Sequence, residues 1–139
     1  MTDIPSVGST PVYTVTGDPV VRLHADATVD DVAKAIVDGQ IGAVVIGDGA
    51  PVGMVSERDV VRVVAAGKDP AAVRAVDVAS TKLVWCAADE TVDEVANRMM
   101  DHYIRHVLVE RDGELLGIVS ARDLLGVYGA AADLPSSPA

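Results

Sequence analysis

The chain has 139 residues, of which 50% are hydrophobic and only 3% aromatic, and 21 acidic against 11 basic residues give a formal net charge of -10. The apolar content excludes low-complexity disorder, the acidic balance argues against a general nucleic-acid binder, and a single cysteine, Cys86, excludes a disulfide-stapled scaffold. The composition predicts a compact protein with an aliphatic core.

The start of the chain and its apolar stretches predict neither secretion nor membrane insertion. Residues 1–5 lack a basic segment followed by an apolar run. The densest apolar stretches, 43–46 and 60–66, are far shorter than the roughly 18 residues that a membrane helix needs. We therefore expect a cytoplasmic protein without a membrane partner, in which Cys86 is a buried thiol rather than a nucleophile.

The sequence repeats itself once. At an offset of 63 residues, segment 26–33 (DATVDDVA) matches segment 89–96 (DETVDEVA). At an offset of 64, segment 53–59 (GMVSERD) matches segment 117–123 (GIVSARD). The one-residue slip falls in a turn-rich stretch between the matched segments, where a hairpin changes length at little cost. The chain therefore contains two copies of a unit of about sixty residues.

The predicted elements follow the order β-α-β-β-α in both copies, which indicates a mixed α/β (α+β) fold. In the first copy they are a strand over 20–23, a helix after Thr28, strands over 43–46 and 52–55, and a helix from Ser56. In the second copy they are a strand over 83–86, a helix after Thr91, strands over 106–110 and 115–119, and a helix from Ser120. Thr28 and Thr91 stand three residues before an acidic residue, which predicts capping boxes, and Gly39 suits the C-cap of the first helix.

The segments around the two copies set the expected domain boundaries. They are a flexible start at 1–10, a first repeat at 11–67, a helical linker at 68–80, a second repeat at 81–129 and a disordered tail at 130–139. Asp69 is the expected cap of the linker helix, because Pro70 after it suits a first helical turn. The tail is rich in small residues and proline, which is typical of frayed termini.

A candidate site for a nucleoside phosphate closes each copy, at the junction between the last strand and the last helix. A helix start attracts phosphate through its amides and dipole. A serine hydroxyl can donate to phosphate or ribose, an aspartate can accept from both vicinal ribose hydroxyls, and an arginine adds positive charge. The candidate residues are Ser56, Arg58 and Asp59 in the first copy, and Ser120, Arg122 and Asp123 in the second.

The same spacing also has a purely structural interpretation. Ser-x-x-Asp is itself a capping box, so helix stability alone explains both occurrences. A duplication copies a helix cap as readily as a binding site, and the second occurrence therefore leaves both interpretations open.

The twofold unit, closed in each copy by Gly-hydrophobic-x-Ser-x-x-Asp, resembles the cystathionine beta-synthase (CBS) domain pair. The segment Asp-x-Thr-Val-x-x-Val-Ala before the first helix is also similar to the family, and the resemblance covers roughly residues 11–129. It implies two repeats packed as a pseudo-twofold module with two clefts that bind adenosine-containing ligands such as AMP, ADP or ATP. It also implies that the Ser and Asp of each closing motif contact phosphate and ribose, and that no cofactor or metal is required.

The two copies differ beside the closing motif. The first copy has Gly-Ala at 42–43, where the second has Arg105 and His106. A cationic pair favours phosphate, although a solvated arginine and an ordinary strand histidine explain the same residues. We expect unequal sites, with the one near Arg105, Arg122 and Asp123 better suited to a polyphosphate.

The residues that enter each repeat are expected to enclose the base, together with an isoleucine after each first helix. They are Thr14, Val21 and Ile41 for the first repeat, and Ser80, Thr81, Val84 and Ile104 for the second.

The expected function is a non-catalytic sensor that binds an adenine nucleotide and signals in trans to a protein partner. The resemblance also implies a homodimer, whose contact would use exposed apolar helix faces. Those faces contain Val60, Val61, Val64, Leu124, Leu125 and Tyr128. The alternative is a structural or dimerisation module without a physiological nucleotide. Catalysis is not expected, because the three histidines lack metal-ligand spacing and the motif serines have no general base near them in sequence.

Overall fold

The computed structural model of the chain describes residues 7–16 and 20–132. These residues form two compact units. One unit comprises residues 20–83, and the other combines residues 7–16 with residues 84–132. Each unit holds one copy of the sequence repeat.

The first-repeat unit has a three-stranded sheet with the order β1-β2-β3, in which β2 runs parallel to β1 and antiparallel to β3. Its elements are β1 (Arg22–Leu23), α1 (Val29–Gly39), β2 (Ala43–Ile46), β3 (Gly53–Ser56), α2 (Glu57–Ala65) and α3 (Ala75–Val78). The order β-α-β-β-α confirms the predicted fold, with one short helix added after it.

The second-repeat unit repeats this topology, with the sheet order β4-β5-β6. Its elements are two 3-10 turns (Val7–Ser9 and Val12–Thr14), β4 (Trp85–Ala87), α4 (Val92–His102), β5 (His106–Arg111), β6 (Glu114–Ser120) and α5 (Ala121–Ala132). Its hairpin is longer than that of the first unit, and a register shift between Val109 and Glu110 absorbs the extra residue. None of the helices in the described part of the chain is long and apolar enough to cross a membrane.

Each unit has its own aliphatic core. In the first, Val32 and Ile36 lie one helical turn apart on α1 and pack with Val44, Ile46 and Val55 of the sheet. In the second, the core contains the corresponding residues of α4 and its sheet: Val95, Met99, Val107, Val109 and Val119. The low aromatic content therefore leads to cores filled by branched aliphatic side chains, as the composition predicts.

The N-terminal segment belongs to the second-repeat unit, not to the repeat that follows it in the chain. The amide of Val12 donates to the carbonyl oxygen of Glu90 at 2.7 Å, and the amide of Val92 donates to that of Thr10 at 2.9 Å. Val12 is fully buried in the core of this unit.

Segment 73–75 makes the same bonds in the first-repeat unit. The amide of Ala75 donates to the carbonyl oxygen of Ala27 at 2.8 Å, and the amide of Val29 donates to that of Val73 at 2.9 Å. These are the bonds of Val12 and Val92 shifted by 63 residues. The segment expected to link two repeats is thus an integral part of the first unit, and the 3-10 turn Val12–Thr14 is its counterpart in the second.

The linker differs from the expected helix. The side chain of Asp69 does accept from the amide of Ala71 at 3.0 Å, but the chain then makes only a turn. Arg74 is extended, with φ -77 and ψ 139, because it forms a β-bridge with Thr28. Only the four residues of α3 are helical after that bridge.

The end of α1 also differs from the prediction. Gly39 remains within the helix, and Gln40 takes the left-handed conformation with φ 52. The amide of Ile41 donates to the carbonyl oxygen of Ile36 at 3.2 Å, and Ile41 packs against the core that contains Ile36. This apolar contact across the helix end stabilises the left-handed turn without glycine.

The expected flexible ends lie partly outside the described residues, which exclude 1–6 and 133–139. Residues 7–9 form a 3-10 turn, and α5 continues through residue 132, beyond the predicted end of the second repeat.

Candidate functional site

The first closing motif forms a complete capping box at the start of α2. The amide of Ser56 donates to Asp59 Oδ2 at 2.8 Å, and the amide of Asp59 donates to Ser56 Oγ at 3.4 Å. The Ser56 hydroxyl also donates to Asp59 Oδ2 at 3.1 Å. The other oxygen, Asp59 Oδ1, has Arg62 Nη1 at 3.8 Å, and the side chain is 18% exposed. One carboxylate oxygen therefore serves the cap, and the second remains able to accept from a ligand.

The second closing motif has the same geometry at the start of α5. The amide of Ser120 donates to Asp123 Oδ2 at 2.8 Å, and the amide of Asp123 donates to Ser120 Oγ at 3.1 Å. The structural interpretation of Ser-x-x-Asp is thus realised in both copies. Because the cap engages only Oδ2 of each aspartate in these bonds, the geometry is compatible with ligand binding as well.

The first helical amides are partly occupied. The amide of Glu57 donates to the carbonyl oxygen of Gly42 at 3.0 Å, and the amide of Ala121 donates to that of Arg105 at 2.8 Å. A phosphate at either helix start therefore meets fewer open amides than the sequence suggests. Polar side chains must supply more of its hydrogen bonds.

His106 lies beside the second motif. It is half-buried and is the cross-strand partner of Ser120 in the antiparallel pair β5–β6. Directly opposite residues in such a pair have β-carbons about 4.5–5.5 Å apart. Strand pairing thus brings opposite Ser120 a histidine that is fourteen residues away in sequence. In the first unit Ala43 occupies the equivalent place opposite Ser56.

The predicted cations flank the motifs. Arg58 on α2, Arg122 on α5 and Arg105 before β5 all have exposed side chains. Arg105 directly precedes His106, and its carbonyl oxygen accepts from the Ala121 amide, so its backbone lies at the start of α5.

The apolar candidates lie in the predicted units. Val21 and Ile41 pack against the core of the first-repeat unit. Val84 and Ile104 pack against the core of the second-repeat unit.

The hydroxyl-bearing candidates lie in the opposite units from those expected. Thr14 is exposed in the second-repeat unit, where its hydroxyl donates to the carbonyl oxygen of Pro11 at 2.8 Å. Ser80 and Thr81 lie in the first-repeat unit, where Ser80 exchanges backbone hydrogen bonds of 3.0 and 2.9 Å with Met54 of β3. The expected assignment followed chain order. Each lead-in segment, 7–16 or 73–80, precedes one repeat in the chain, but its backbone hydrogen bonds join it to the other repeat.

Thr16 is a further candidate, outside the set of residues predicted from the sequence. A β-carbon at Gly117 would lie 3.2 Å from Thr16 Cβ, so Thr16 crosses β6 three residues before Ser120. In the first unit a β-carbon at Gly53 would lie 3.1 Å from the carbonyl oxygen of Ser80. The offset of 64 that aligns Gly53 with Gly117 also aligns Ser80 with Thr16, and this was the available signal.

The histidines and the cysteine form no metal centre within residues 7–16 and 20–132, where no three His, Cys, Asp or Glu side chains are placed to hold a metal ion. His24 lies between Asp26 and Asp48, at 3.3 and 3.4 Å, on an exposed surface. Cys86 is buried in the second core, and burial raises the pKa of its thiol to about 11, with a further contribution from the Glu90 carboxylate. Such a thiol is a poor nucleophile at neutral pH.

The CBS domain profile matches the chain twice, over residues 8–66 and 74–130. The chain therefore belongs to the CBS domain family, as a tandem pair. An uncharacterized protein of Methanopyrus kandleri, MK0525, is 35% identical over 117 residues, which cover 81% of this chain and 57% of that protein. The chain thus spans little more than half the length of this relative.

Solved structures confirm the fold. A CBS-domain containing protein from Agrobacterium tumefaciens matches with a TM-score of 0.76 and 29% identity, over 85% of this chain and 98% of that one. A CBS domain protein from Pyrobaculum aerophilum, complexed with AMP, matches with a TM-score of 0.78 and 30% identity, over 91% of this chain and 99% of that one. The CBS domain pair of protein MJ0100, in complex with 5'-methylthioadenosine and S-adenosyl-L-methionine, matches with a TM-score of 0.77 and 25% identity. The match covers 88% of this chain and 98% of that one.

Proposed function

We propose that this chain is a non-catalytic regulatory module that binds an adenosine-containing ligand, AMP, ADP or ATP, at its two closing motifs. The observation that carries the proposal is the Ser–Asp pair at the strand-to-helix junction of each unit, which leaves one aspartate oxygen outside the cap. That oxygen can accept from ribose hydroxyls, the role of acidic residues in dinucleotide sites. The AMP complex of a relative with 30% identity supports the same ligand class.

The residues around each motif suggest how the rest of the ligand is held. Thr16 and Ser80 each cross the last strand of a unit near its motif, where a hydroxyl can donate to the ligand. Val21 and Ile41 in one unit, and Val84 and Ile104 in the other, offer apolar surface for the base. Because the chain has few aromatic residues, aliphatic side chains contact the base in place of aromatic stacking.

The two sites are unequal in this proposal. The second motif has Arg105, His106 and Arg122 around it, whereas Ala43 stands in place of the histidine in the first unit. Positive charge favours the ligand with more phosphates. We therefore assign ADP or ATP to the second motif and a less charged adenosine ligand to the first.

A sensor acts only if its ligand occupancy changes its association with itself or with another protein. We propose a homodimer that reports occupancy in trans to a protein partner. The proposed dimer contact uses Val61 and Val64 of α2 and Leu125 of α5, which are 63%, 59% and 70% exposed. Leu124, also expected there, is a core residue with 4% exposure, and Val60 and Tyr128 are half-buried against their cores.

The decisive test of ligand binding compares two cap deletions in the same unit. Asp123→Ala removes the proposed ribose acceptor together with a cap partner, whereas Thr91→Ala removes only the N-cap of α4. Each loses about 1 kcal/mol of stability. We expect ATP affinity, measured by calorimetry, to fall at least tenfold at the second site in Asp123→Ala and to stay unchanged in Thr91→Ala.

The alternative function is a structural module whose Ser–Asp pairs serve only as caps. It predicts that AMP, ADP and ATP do not raise the melting temperature of the wild-type protein, although occupied sites must stabilise the fold. That outcome, with equal stability losses in Asp123→Ala and Thr91→Ala, would refute the nucleotide proposal.

A further inference from the structure

A hydrogen bond between α5 and α4 connects the helix that starts at the second motif to the rest of its unit. The Tyr128 hydroxyl donates to Asp93 Oδ1, across 35 positions of sequence. The ring of Tyr128 is half-buried and packs against the core of the unit. Tyr128 lies five residues after Asp123, about 7.5 Å along the helix. The bond therefore restrains α5 close to the Ser120–Asp123 motif at its start.

Asp93 also contacts the N-terminal segment. Its carboxylate lies directly over Gly8, where a β-carbon would overlap it. Gly8 is buried in the 3-10 turn Val7–Ser9, which packs against both α4 and α5. One carboxylate thus joins the start of α4, the side of α5 and the N-terminal segment.

The first repeat lacks this arrangement. Its residues equivalent to Gly8 and Tyr128 are Ala71 and Val64, and Lys34 stands at the position of Asn97, which follows Asp93 by one turn of α4. Asp30, the counterpart of Asp93, instead pairs with Lys34 on its own helix at 2.9 Å, and Val64 is 59% exposed. Three departures from the repeat therefore coincide around a single carboxylate. A role confined to the second unit explains why they occur together.

We propose that Tyr128 and Asp93 form a latch that holds α5 and the N-terminal segment against α4, and that thereby positions the Ser120–Asp123 motif for its ligand. Tyr128 is a positioning residue in this scheme, since it acts on the motif through α5. The proposal that the latch positions the motif rests on the proposed nucleotide function, whereas the existence of the latch does not. A protein that displaces the N-terminal segment would weaken ligand binding at the second motif and leave the first motif unaffected.

Hydrogen exchange of the protein without ligand tests the latch. Tyr128→Phe keeps the packed ring and removes only the hydroxyl. A hydrogen bond to a charged group stabilises its elements enough for its loss to speed local opening about tenfold or more. We expect amides of α5 and of residues 7–16 to exchange about tenfold faster, with residues 20–83 unchanged. Tyr103→Phe is the matched control, since Tyr103 is 95% exposed at the end of α4.

A double-mutant cycle and a binding measurement complete the test. Asp93→Ala should reproduce the exchange pattern of Tyr128→Phe, and the two changes together should add little, because both remove the same bond. With ATP as the probe, Tyr128→Phe should weaken binding at least threefold in an Asp59→Ala background, which leaves only the second site intact. In an Asp123→Ala background it should have no effect.

The outcomes separate the two proposals. Unchanged exchange in Tyr128→Phe, or additive effects in the cycle, would overturn the latch. Faster exchange with equal ATP affinity at the second site would overturn the positioning role. A wild-type protein that binds no nucleotide would refute the proposed function, and the exchange data would still decide whether the latch exists.

Discussion

At the scale of single residues, the tertiary surroundings determine the chemistry of groups that are ordinary in the sequence. The hydrogen bond to Asp93 raises the pKa of Tyr128 to about 12, with burial as a second cause. Burial raises the pKa of Cys86. The hydrogen bond from Arg98 lowers the pKa of Glu90. The sequence predicts an inert thiol at Cys86, but it contains no signal for the Tyr128–Asp93 pair.

The raised pKa of Tyr128 predicts how stability changes in alkaline solution. A phenol whose pKa is higher in the folded state stabilises that state fully below its ordinary pKa of 10.0. The stabilisation is lost as the pH rises through about 12, because the unfolded chain releases its proton first. The free energy of unfolding in urea should therefore fall more steeply above pH 10 in the wild type than in Tyr128→Phe. Parallel curves for the two proteins would contradict this expectation.

At the scale of elements, the lead-in segments decide which parts of the chain stabilise each other. The N-terminal segment completes the second-repeat unit, and segment 73–80 completes the first. Helices, strands and caps could be predicted because they depend on neighbours within a few residues. The destination of each lead-in could not, since it depends on pairing across the chain.

Val12→Ala tests the assignment of the N-terminal segment. Val12 is fully buried in the second core, so the loss of two methyl groups should cost about 2 kcal/mol. Amides of α4 should exchange faster, with those of α1 unchanged. Val76→Ala, next to Ala75 at the position equivalent to Val12 and packed against the first core, should show the reverse pattern. Faster exchange of α1 in Val12→Ala would show that chain order, not backbone pairing, defines the units.

Gly53→Ala tests the close crossing of the lead-in over β3. A β-carbon there would lie 2.8 Å from Ala79 Cβ and 3.1 Å from the carbonyl oxygen of Ser80, so the segment must shift. We expect a loss of about 1–3 kcal/mol in urea unfolding, as for other overpacked sites. Gly49→Ala is the control, because a β-carbon at Gly49 meets nothing within 4 Å. Equal stability of the two variants would rule out a tight crossing.

At the scale of the whole molecule, the chain is a tandem CBS pair whose two units share a topology but differ beside their motifs. His106 and the Tyr128–Asp93 bond occur only in the second unit. The two motifs therefore have different surroundings, which is the basis for the proposal that they bind ligands of different charge.

Self-association of the whole chain can be tested at the proposed contact on α2. Val61→Asp combined with Val64→Asp places two charges on the proposed dimer contact of α2. Light scattering after size exclusion should report a dimer for the wild type and a monomer for this variant. Val37→Asp, at a position on α1 with 73% exposure, should remain dimeric. A monomeric wild type would refute the homodimer.

The amino-acid sequence by itself determined the duplication, the order of the elements, the family and the capping motifs, because each depends on residues close together along the chain. Only the tertiary structure decided where the lead-ins go, that His106 stands beside Ser120, and that Tyr128 meets Asp93. The physical reason lies in the duplication itself. Two copies with nearly the same local pattern offer each lead-in segment two similar partners, and only long-range backbone pairing and core packing choose between them.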